Sequence, residues 1–303
     1  MAELMKKTKL AQSLDWLDNH PEVFQCIHCH APLKRQGNSL VCSNNHRFDS
    51  AKQGYFYLSK QATQQTDYDK TLFQHRRYII TESAFYRPLL VPLMRYLNTQ
   101  LSNGDVVLDA GSGEGSYLHV LHASSDKALS LIGVDLAKDG IQLATSYNGE
   151  MLSLVADLAQ LPLQNQRIDI ILSILSPANY TEFKRVLKDD GQIVKVIAEK
   201  DYLIEIRQAL IQLGFAIQEK YDNQPIIEKF QEAFPENSYY QINEVVELTM
   251  EELERLLQMT PLTWHLKADN LAKLKAILPS HIHLNMGILI GHKKRAKIPK
   301  TES

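Results

Sequence analysis

Short apolar runs alternate with helix-like stretches through the second half of the chain. Residues 106–108, 130–134, 151–155, 168–174 and 192–197 are rich in apolar side chains, and helix-forming segments separate them. Strands that are continuously apolar, rather than alternating, are typical of a parallel sheet covered on both faces. The pattern therefore predicts an α/β domain with a mostly parallel sheet between layers of helices.

The flanking segments carry weaker patterns. Apolar spacing predicts a short helix over residues 8–20, and a helical stretch from about Thr71. Residues 54–58 predict an aromatic strand, and the polar, Gln/Thr-rich stretch 59–70 predicts a linker or mobile loop. Near the C-terminus the pattern predicts a helix near residues 244–257 and a final strand over 283–291.

Length and composition limit the class of protein. The chain has 303 residues, of which 44% are hydrophobic, enough for one large domain and a small one. It contains no apolar run of 18 residues, so we expect no transmembrane helix. The N-terminal segment is basic and lacks the apolar core of a secretory signal. These features predict a cytoplasmic protein without a membrane partner.

Charge is distributed unevenly behind a formal net charge of −2. Residues 1–80 hold 11 Lys and Arg against 7 Asp and Glu, a balance of +4, whereas the remainder has 22 against 28, a balance of −6. A positive lobe on an acidic body is suited to docking on a polyanion. A solvated basic face without a partner is the alternative. Residues 292–300 form a basic tail, which is often only solvating.

All three cysteines fall within 17 residues, in the motif Cys26-x2-Cys29-x12-Cys42-x3-His46. This is the ligand spacing of a tetrahedral structural zinc site. A turn at residues 37–38 would return the second half of the motif to the first.

Other interpretations of the same residues are weaker. His28 and His30 are competing ligand candidates, and buried cysteines without a metal are the plain alternative. An odd number of cysteines makes a disulfide a poor interpretation. A closed shell of three cysteines and one histidine would leave no open position for a catalytic water.

A glycine-rich turn follows the first predicted strand of the sheet, with the sequence Asp109-Ala-Gly111-Ser-Gly113-Glu114-Gly115. Glycines allow a ligand to approach the backbone, and the following helix offers free N–H groups. Asp135 ends the second strand, where a carboxylate can accept both ribose hydroxyls. Asp157 and Leu158 end the third strand, beside the expected adenine position.

Acids at the ends of three successive strands are typical of class I S-adenosylmethionine (SAM) methyltransferases, with Rossmann-like sheets. In this interpretation Asp109 lies near the aminocarboxypropyl end of SAM. A dinucleotide-dependent oxidoreductase would instead have G-x-G-x-x-G at this turn. Carboxylates that cap strands by chance are the other alternative.

The zinc motif and the methyltransferase pattern together resemble the RlmA-type 23S rRNA (guanine-N1)-methyltransferases. The resemblance covers about residues 23–292 and is carried by the cysteine motif and by residues 46–55, 76–77, 86–89, 109–115 and 258–264. It implies SAM as cofactor, structural zinc, and a hairpin of 23S rRNA as substrate. It further implies that Tyr86, Gly113, Glu114 and Tyr202 contact SAM.

The family has two branches that modify nearby guanines, and the extension before the zinc motif resembles that of the Gram-positive, tylosin-resistance branch. A homodimer that grips one RNA is also implied. We expect a helical extension over 1–22, a zinc-binding RNA-recognition module over 23–58, a linker and helix over 59–80, and the methyltransferase domain over 81–303.

No side chain is identified as the base that removes the guanine N1 proton. Ser176 and Asn179, after the fourth strand, are candidates for binding the edge of a flipped base, and a simple turn is the alternative. No cysteine is left for attack on a pyrimidine, which favours ring-nitrogen methylation. Two other functions stay open: a small-molecule methyltransferase, and a non-catalytic zinc-containing RNA-binding adaptor.

Overall fold

The computed structural model describes residues 7–60, 69–147, 150–218 and 222–293. Parts of three expected segments lie outside these residues: 1–6 of the N-terminal extension, 61–68 of the linker predicted over 59–70, and 294–300 of the tail predicted over 292–300. The described strands are β1 (Leu33–Gln36), β2 (Ser39–Cys42), β3 (Arg47–Asp49), β4 (Phe56–Leu58), β5 (Val106–Ala110), β6 (Ser130–Asp135), β7 (Leu152–Ala156), β8 (Ile168–Ile174), β9 (Leu187–Ala198), β10 (Asn237–Glu247) and β11 (His281–His292).

The helices cover both faces of the larger sheet. They are α1 (Lys9–Asn19), α2 (Lys70–Thr81), α3 (Arg87–Gln100), α4 (Ser116–Ser124), α5 (Lys138–Ala144), α6 (Tyr180–Val186), α7 (Ile204–Gln212), α8 (Gln224–Ala233), α9 (Met250–Met259) and α10 (Ala268–Ile277). None of these described helices is long and apolar enough to cross a membrane.

Eight strands form one sheet in the order β10-β11-β9-β8-β5-β6-β7-β4. The strands from β9 to β4 run parallel, and β11 and β10 add an antiparallel pair at one edge. This confirms the predicted α/β fold of a class I SAM methyltransferase. Parallel order places the carboxyl ends of β5, β6 and β7 side by side, as required for one ligand to touch all three.

The cysteine-containing segment is joined to this sheet by one strand and by a common core. Strands β1, β2 and β3 form a separate antiparallel sheet, but β4 pairs in parallel with β7 at the edge of the large sheet. Phe24, Leu33 and Leu40 are buried in the same apolar cluster as Leu154 and Ile171 of the large sheet. The two parts therefore share one core.

The prediction of a helix near residues 244–257 is wrong in its first part. Residues up to Glu247 belong to β10, where Ile242 and Val246 are half-buried and their neighbours exposed. The helix begins only at Met250, because Thr249 caps it and Glu252 completes a capping box. The threonine and the glutamate three residues later are the sequence signal that marks this boundary.

Candidate functional site

Four ligand atoms of the cysteine motif converge on one point. Those of Cys26, Cys29, Cys42 and His46 all lie within 4.8 Å of one another. The Cys29 and Cys42 sulfurs are 3.7 Å apart, and His46 Nδ1 lies 3.4 Å from the sulfurs of both Cys26 and Cys42. A tetrahedral zinc ion with Zn–S of about 2.3 Å separates two sulfurs by about 3.8 Å and a sulfur from a nitrogen by about 3.5 Å. The donor set therefore fits structural zinc.

Local backbone geometry builds this centre. The knuckle closes through hydrogen bonds from His30 N to Cys26 O and from Cys26 N to Ala31 O, both 2.9 Å. A backbone hydrogen bond from Ala31 is the main cause that lowers the pKa of Cys29 to about 6, which favours the thiolate that binds metal. The competing candidates His28 and His30 are exposed and lie outside the cluster.

The glycine-rich turn between β5 and α4 needs glycine for two reasons. Gly111 and Gly113 have φ of 89° and 56°, a region that favours glycine. A Cβ atom on Gly111 would lie 2.4 Å from Ser176 Cβ, and one on Gly113 would lie 2.5 Å from Arg76 Nη1. The close approach here is by the protein itself, from the end of β8 and from α2.

The first two strand-end acids differ in their partners. Asp109 is fully buried, and neither of its carboxylate oxygens has a hydrogen-bond partner among the described residues. Burial raises its pKa to about 7. Asp135 accepts hydrogen bonds from Gly113 N at 2.8 Å and Ala137 N at 2.7 Å. Burial raises the pKa of Asp135 as well, although these two N–H groups oppose the shift.

Asp157 and Leu158 follow β7, the neighbour of β6. Both are half-buried, and Asp157 Oδ1 accepts a hydrogen bond from Ala159 N at 2.8 Å. The parallel pairing of β6 with β7 places these two residues beside Asp135, since Asp135 pairs with Val155. All three acids thus lie along one edge of the sheet, at the carboxyl ends of adjacent strands.

Helix α2 lies directly over the glycine-rich turn. Arg76 Nη1 donates to Glu114 Oε2 in a short ion pair, and the Arg76 guanidinium lies 5.3 Å from the centre of the Tyr117 ring. Glu114 is fully buried, and its Oε1 has no partner among the described residues. Arg77 instead donates to Leu143 O in the last turn of α5 and to Ser146 Oγ just after it, each at 2.8 Å.

Two tyrosines that are far apart in the sequence meet beside this edge. The hydroxyl oxygens of Tyr86, before α3, and Tyr202, after β9, are 2.7 Å apart, and both side chains are buried. The structure therefore brings together Tyr86 with Tyr202, Gly113 with Asp135, and Glu114 with Arg76. The partnerless oxygens of Asp109 and Glu114 leave acceptors for a polar ligand with a cationic amino group, and this suits SAM.

The two base-edge candidates are engaged in local structure. Ser176 Oγ donates to Ala110 O at 2.6 Å, and Asn179 Oδ1 caps α6 by accepting from Glu182 N at 3.2 Å. These contacts favour the alternative that the segment is a turn out of β8.

Sequence reasoning missed Lys195. This residue is 4% exposed on β9, and its Nζ donates to Ser176 O at 2.9 Å and lies 3.3 Å from Ser173 Oγ. Burial lowers its pKa to about 8. The sequence does contain a signal for this residue, because a lysine interrupts the otherwise apolar run of residues 193–197.

The sheet order, the glycine-rich turn and the three strand-end acids define a class I SAM-dependent methyltransferase. The cysteine motif adds a zinc ribbon that shares its core. Sequence profiles agree with both assignments: the profile described as RlmA, N-terminal, matches residues 24–59, and that of a methyltransferase domain matches residues 101–282.

Relatives cover nearly the whole chain. YxjB of Bacillus subtilis, which is named as a 23S rRNA (guanine-N1)-methyltransferase, is 34% identical over 89% of this chain and 97% of its own length. The 23S rRNA (guanine(748)-N1)-methyltransferase of Streptomyces fradiae is 29% identical over 84% of this chain and 90% of its own. The chain belongs to the RlmA-type family of 23S rRNA (guanine-N1)-methyltransferases, and SAM and structural zinc are its cofactors.

Proposed function

We propose that the protein transfers the methyl group of SAM to N1 of a guanine in a hairpin of 23S rRNA. One observation carries the proposal: the zinc ribbon is anchored to the sheet that forms the cofactor edge, because β4 of the ribbon pairs with β7. A ribbon fixed in this way can hold RNA at a constant distance from the carboxyl edge where SAM binds. The names of the relatives from Bacillus subtilis and Streptomyces fradiae support the same reaction.

The relative from Streptomyces fradiae is named for guanine 748, and we propose the corresponding guanine as the target here. This choice agrees with the resemblance of the N-terminal extension to the Gram-positive branch. The neighbouring guanine of the same hairpin is the alternative product, which a position-resolved experiment distinguishes.

The ribbon offers exposed cations to the RNA backbone. Lys34, Arg47 and Lys52 are exposed, and neither lysine takes part in an ion pair within the described part of the chain. Arg35 is a weaker candidate because Asp18 already binds its guanidinium through both carboxylate oxygens. Lysine and arginine contacts to phosphates supply affinity without reading the sequence, so the target base must be selected elsewhere, after it leaves the hairpin stack.

The residues of the cofactor edge have positioning roles in this reaction. We assign the ribose and adenine of SAM to Asp135 and to Asp157 with Leu158, and its amino-acid end to Asp109, Glu114, Tyr86 and Tyr202. SAM supplies an electrophilic methyl group when bound, so the protein's task is to align guanine N1 in line with it. The N1 proton must leave during the attack, to a base or to water.

We also propose the wider organisation that the family implies. The chain divides into a helical extension over 1–22, an RNA-recognition module over 23–58, a linker and helix over 59–80, and a methyltransferase domain over 81–303. A cytoplasmic enzyme acting as a homodimer on one RNA is the corresponding cellular form, and light scattering of the purified protein tests the dimer.

The test of the proposed reaction uses the full chain, a transcript of the 23S rRNA hairpin and labelled SAM. We expect 1-methylguanosine at the proposed guanine by nucleoside mass spectrometry and fragment mapping. A hairpin with adenine at that position is the matched control and should stay unmodified. Bound S-adenosylhomocysteine without methyl transfer to the hairpin would overturn the proposal and favour a small-molecule substrate, whereas neither binding nor transfer would favour the adaptor.

A further inference from the structure

Leu175 combines two unusual properties at the end of β8. Its φ is 52°, in the left-handed region, and its side chain is 42% exposed. Among the described residues, the other non-glycine positions with positive φ are His30, Asn45, Gln166 and Leu203. The first three are polar, and Leu203 is 1% exposed. Leu175 is therefore the described position where backbone strain holds an apolar side chain in solvent.

The surrounding contacts maintain this conformation. Leu175 N still donates to Val196 O at 3.0 Å, so the strand continues up to this residue. Immediately after it, Ser176 is fixed from two sides, by its hydroxyl to Ala110 O at 2.6 Å and by its carbonyl to Lys195 Nζ at 2.9 Å. The chain must turn sharply between these anchors, and the left-handed residue makes that turn. Strain that is overdetermined by its neighbours is typical of functional positions.

The location relates Leu175 to the cofactor edge. Ser176 Cβ lies 2.4 Å from the position that a Cβ on Gly111 would take, so the residue after Leu175 touches the glycine-rich turn. β8 is also the direct neighbour of β5, which carries Asp109. Leu175 thus lies at the carboxyl edge of the sheet, and the residue that follows it touches the glycine-rich turn that is expected to hold SAM.

We propose that the Leu175 side chain is the apolar platform against which the flipped guanine lies during methyl transfer. The proposal rests on the proposed function and names a residue that contacts its substrate. An apolar side chain packs against the face of any base and leaves the Watson–Crick edge, which carries N1, free to point at the methyl donor. The Lys195 ammonium donates to the carbonyl of Ser176, the residue that follows the platform.

Variants at position 175 distinguish loss of the contact with the base from loss of the folded state. Leu175→Ala removes the platform, and Leu175→Gly removes it while relieving the backbone strain, since glycine adopts this φ readily. Leu175→Phe offers a larger flat surface. Ile277→Ala is the matched control, because it removes an aliphatic side chain of similar exposure, 40%, from α10.

The measurements are kcat/KM with the hairpin, affinity for S-adenosylhomocysteine, and fluorescence of a hairpin with 2-aminopurine beside the target guanine. Burial of a leucine side chain against an apolar surface is worth a factor of about ten to a hundred. We expect Leu175→Ala and Leu175→Gly to lose about that much in kcat/KM and to lose the fluorescence rise that reports flipping. Cofactor affinity should stay within about twofold, and Leu175→Phe within about threefold of wild type in kcat/KM.

Two failures are distinguishable. If wild type methylates the hairpin at guanine N1 and Leu175→Gly does so equally well, the platform is wrong and the proposed function stands. If wild type binds S-adenosylhomocysteine but leaves the hairpin unmodified, the proposed function is wrong, and the proposal for Leu175, which rests on it, is wrong as well.

Discussion

The zinc ribbon and the cofactor edge are built on opposite principles. The ligands of the ribbon lie within 21 residues of chain, from Cys26 to His46, and a local hairpin brings them together. The cofactor edge is assembled from β5, β6 and β7 and from contacts such as Tyr86 with Tyr202, which are 116 positions apart. A site encoded by local spacing stands out in a sequence, whereas one encoded by topology becomes visible only when the sheet order is known.

The largest expected effect tests the local site. Cys42→Ser removes one ligand of four, and structural zinc supplies on the order of 10 kcal/mol to the fold of such modules. We expect less than one zinc per chain by mass spectrometry, a clear fall in melting temperature and loss of hairpin methylation. His28→Ala is the control, because His28 is exposed beside the centre and outside the ligand set. Full zinc content in Cys42→Ser would contradict the assigned shell.

The next effect tests a topological contact, the ion pair between Arg76 and Glu114. Arg76→Met leaves the fully buried Glu114 carboxylate without its cation, which costs about 3–5 kcal/mol. The double variant Arg76→Met/Glu114→Gln should regain part of this stability, because no buried charge is left unpaired. Urea unfolding measures the free energy of unfolding of the single and the double variant. Arg167→Met breaks the exposed pair with Glu22, away from α2, and should cost less than about 1 kcal/mol. Equal losses at the two arginines would show that α2 is not held to the turn by Arg76.

A smaller effect separates backbone strain from close packing. Gly104 and Gly111 have nearly the same φ, 88° and 89°, but nothing lies within 4 Å of a Cβ on Gly104. Gly104→Ala should cost about 1–2 kcal/mol of stability through strain alone. Gly111→Ala should cost at least about 1 kcal/mol more and abolish S-adenosylhomocysteine binding, because Ser176 must move. Equal losses of stability for Gly104→Ala and Gly111→Ala, measured by calorimetry, would show that the contact between Gly111 and Ser176 adds nothing to the cost of backbone strain.

The smallest effect is a pH dependence at Asp109. Its pKa is raised to about 7 by burial, so the native state holds a proton there that the unfolded chain has released above about pH 4. The stability from this group is present at low pH and is lost as pH rises through 7. The ionised carboxylate suits the cationic amino group of the cofactor, so S-adenosylhomocysteine affinity should rise by at most about tenfold between pH 6 and 8.

Asp109→Asn is the control for this pH dependence. Titration calorimetry should give the same affinity at pH 6 and pH 8 for this variant. A wild-type affinity that does not change over this range would mean that Asp109 is already ionised, or does not face the amino group.

Elements with a strong local signal were predictable from sequence. The apolar run of β8 coincides with residues 168–174, and the centre formed by Cys26, Cys29, Cys42 and His46 follows from their spacing. β10 was missed because it lies at the sheet edge, where most of its residues are exposed and leave no apolar run. The pairing of β4 with β7 was equally invisible, since three residues cannot specify a partner strand nearly 100 positions away.

Pairwise contacts across the site could not be predicted for the same reason. Arg76 and Glu114 were both identified, but nothing in either segment indicates that one neutralises the other. Leu175 carries no sequence signal, because its strain arises from anchors on β5 and β9 that only the fold supplies.

The most direct test is nucleoside mass spectrometry of the 23S rRNA hairpin after reaction with the zinc-loaded full chain and SAM. A single 1-methylguanosine at the guanine corresponding to 748, and its loss with Cys42→Ser, would confirm that ribbon and cofactor edge act as one enzyme. Unchanged methylation by the zinc-free variant would contradict this coupling, and a methylated position other than guanine N1 would contradict the proposed reaction.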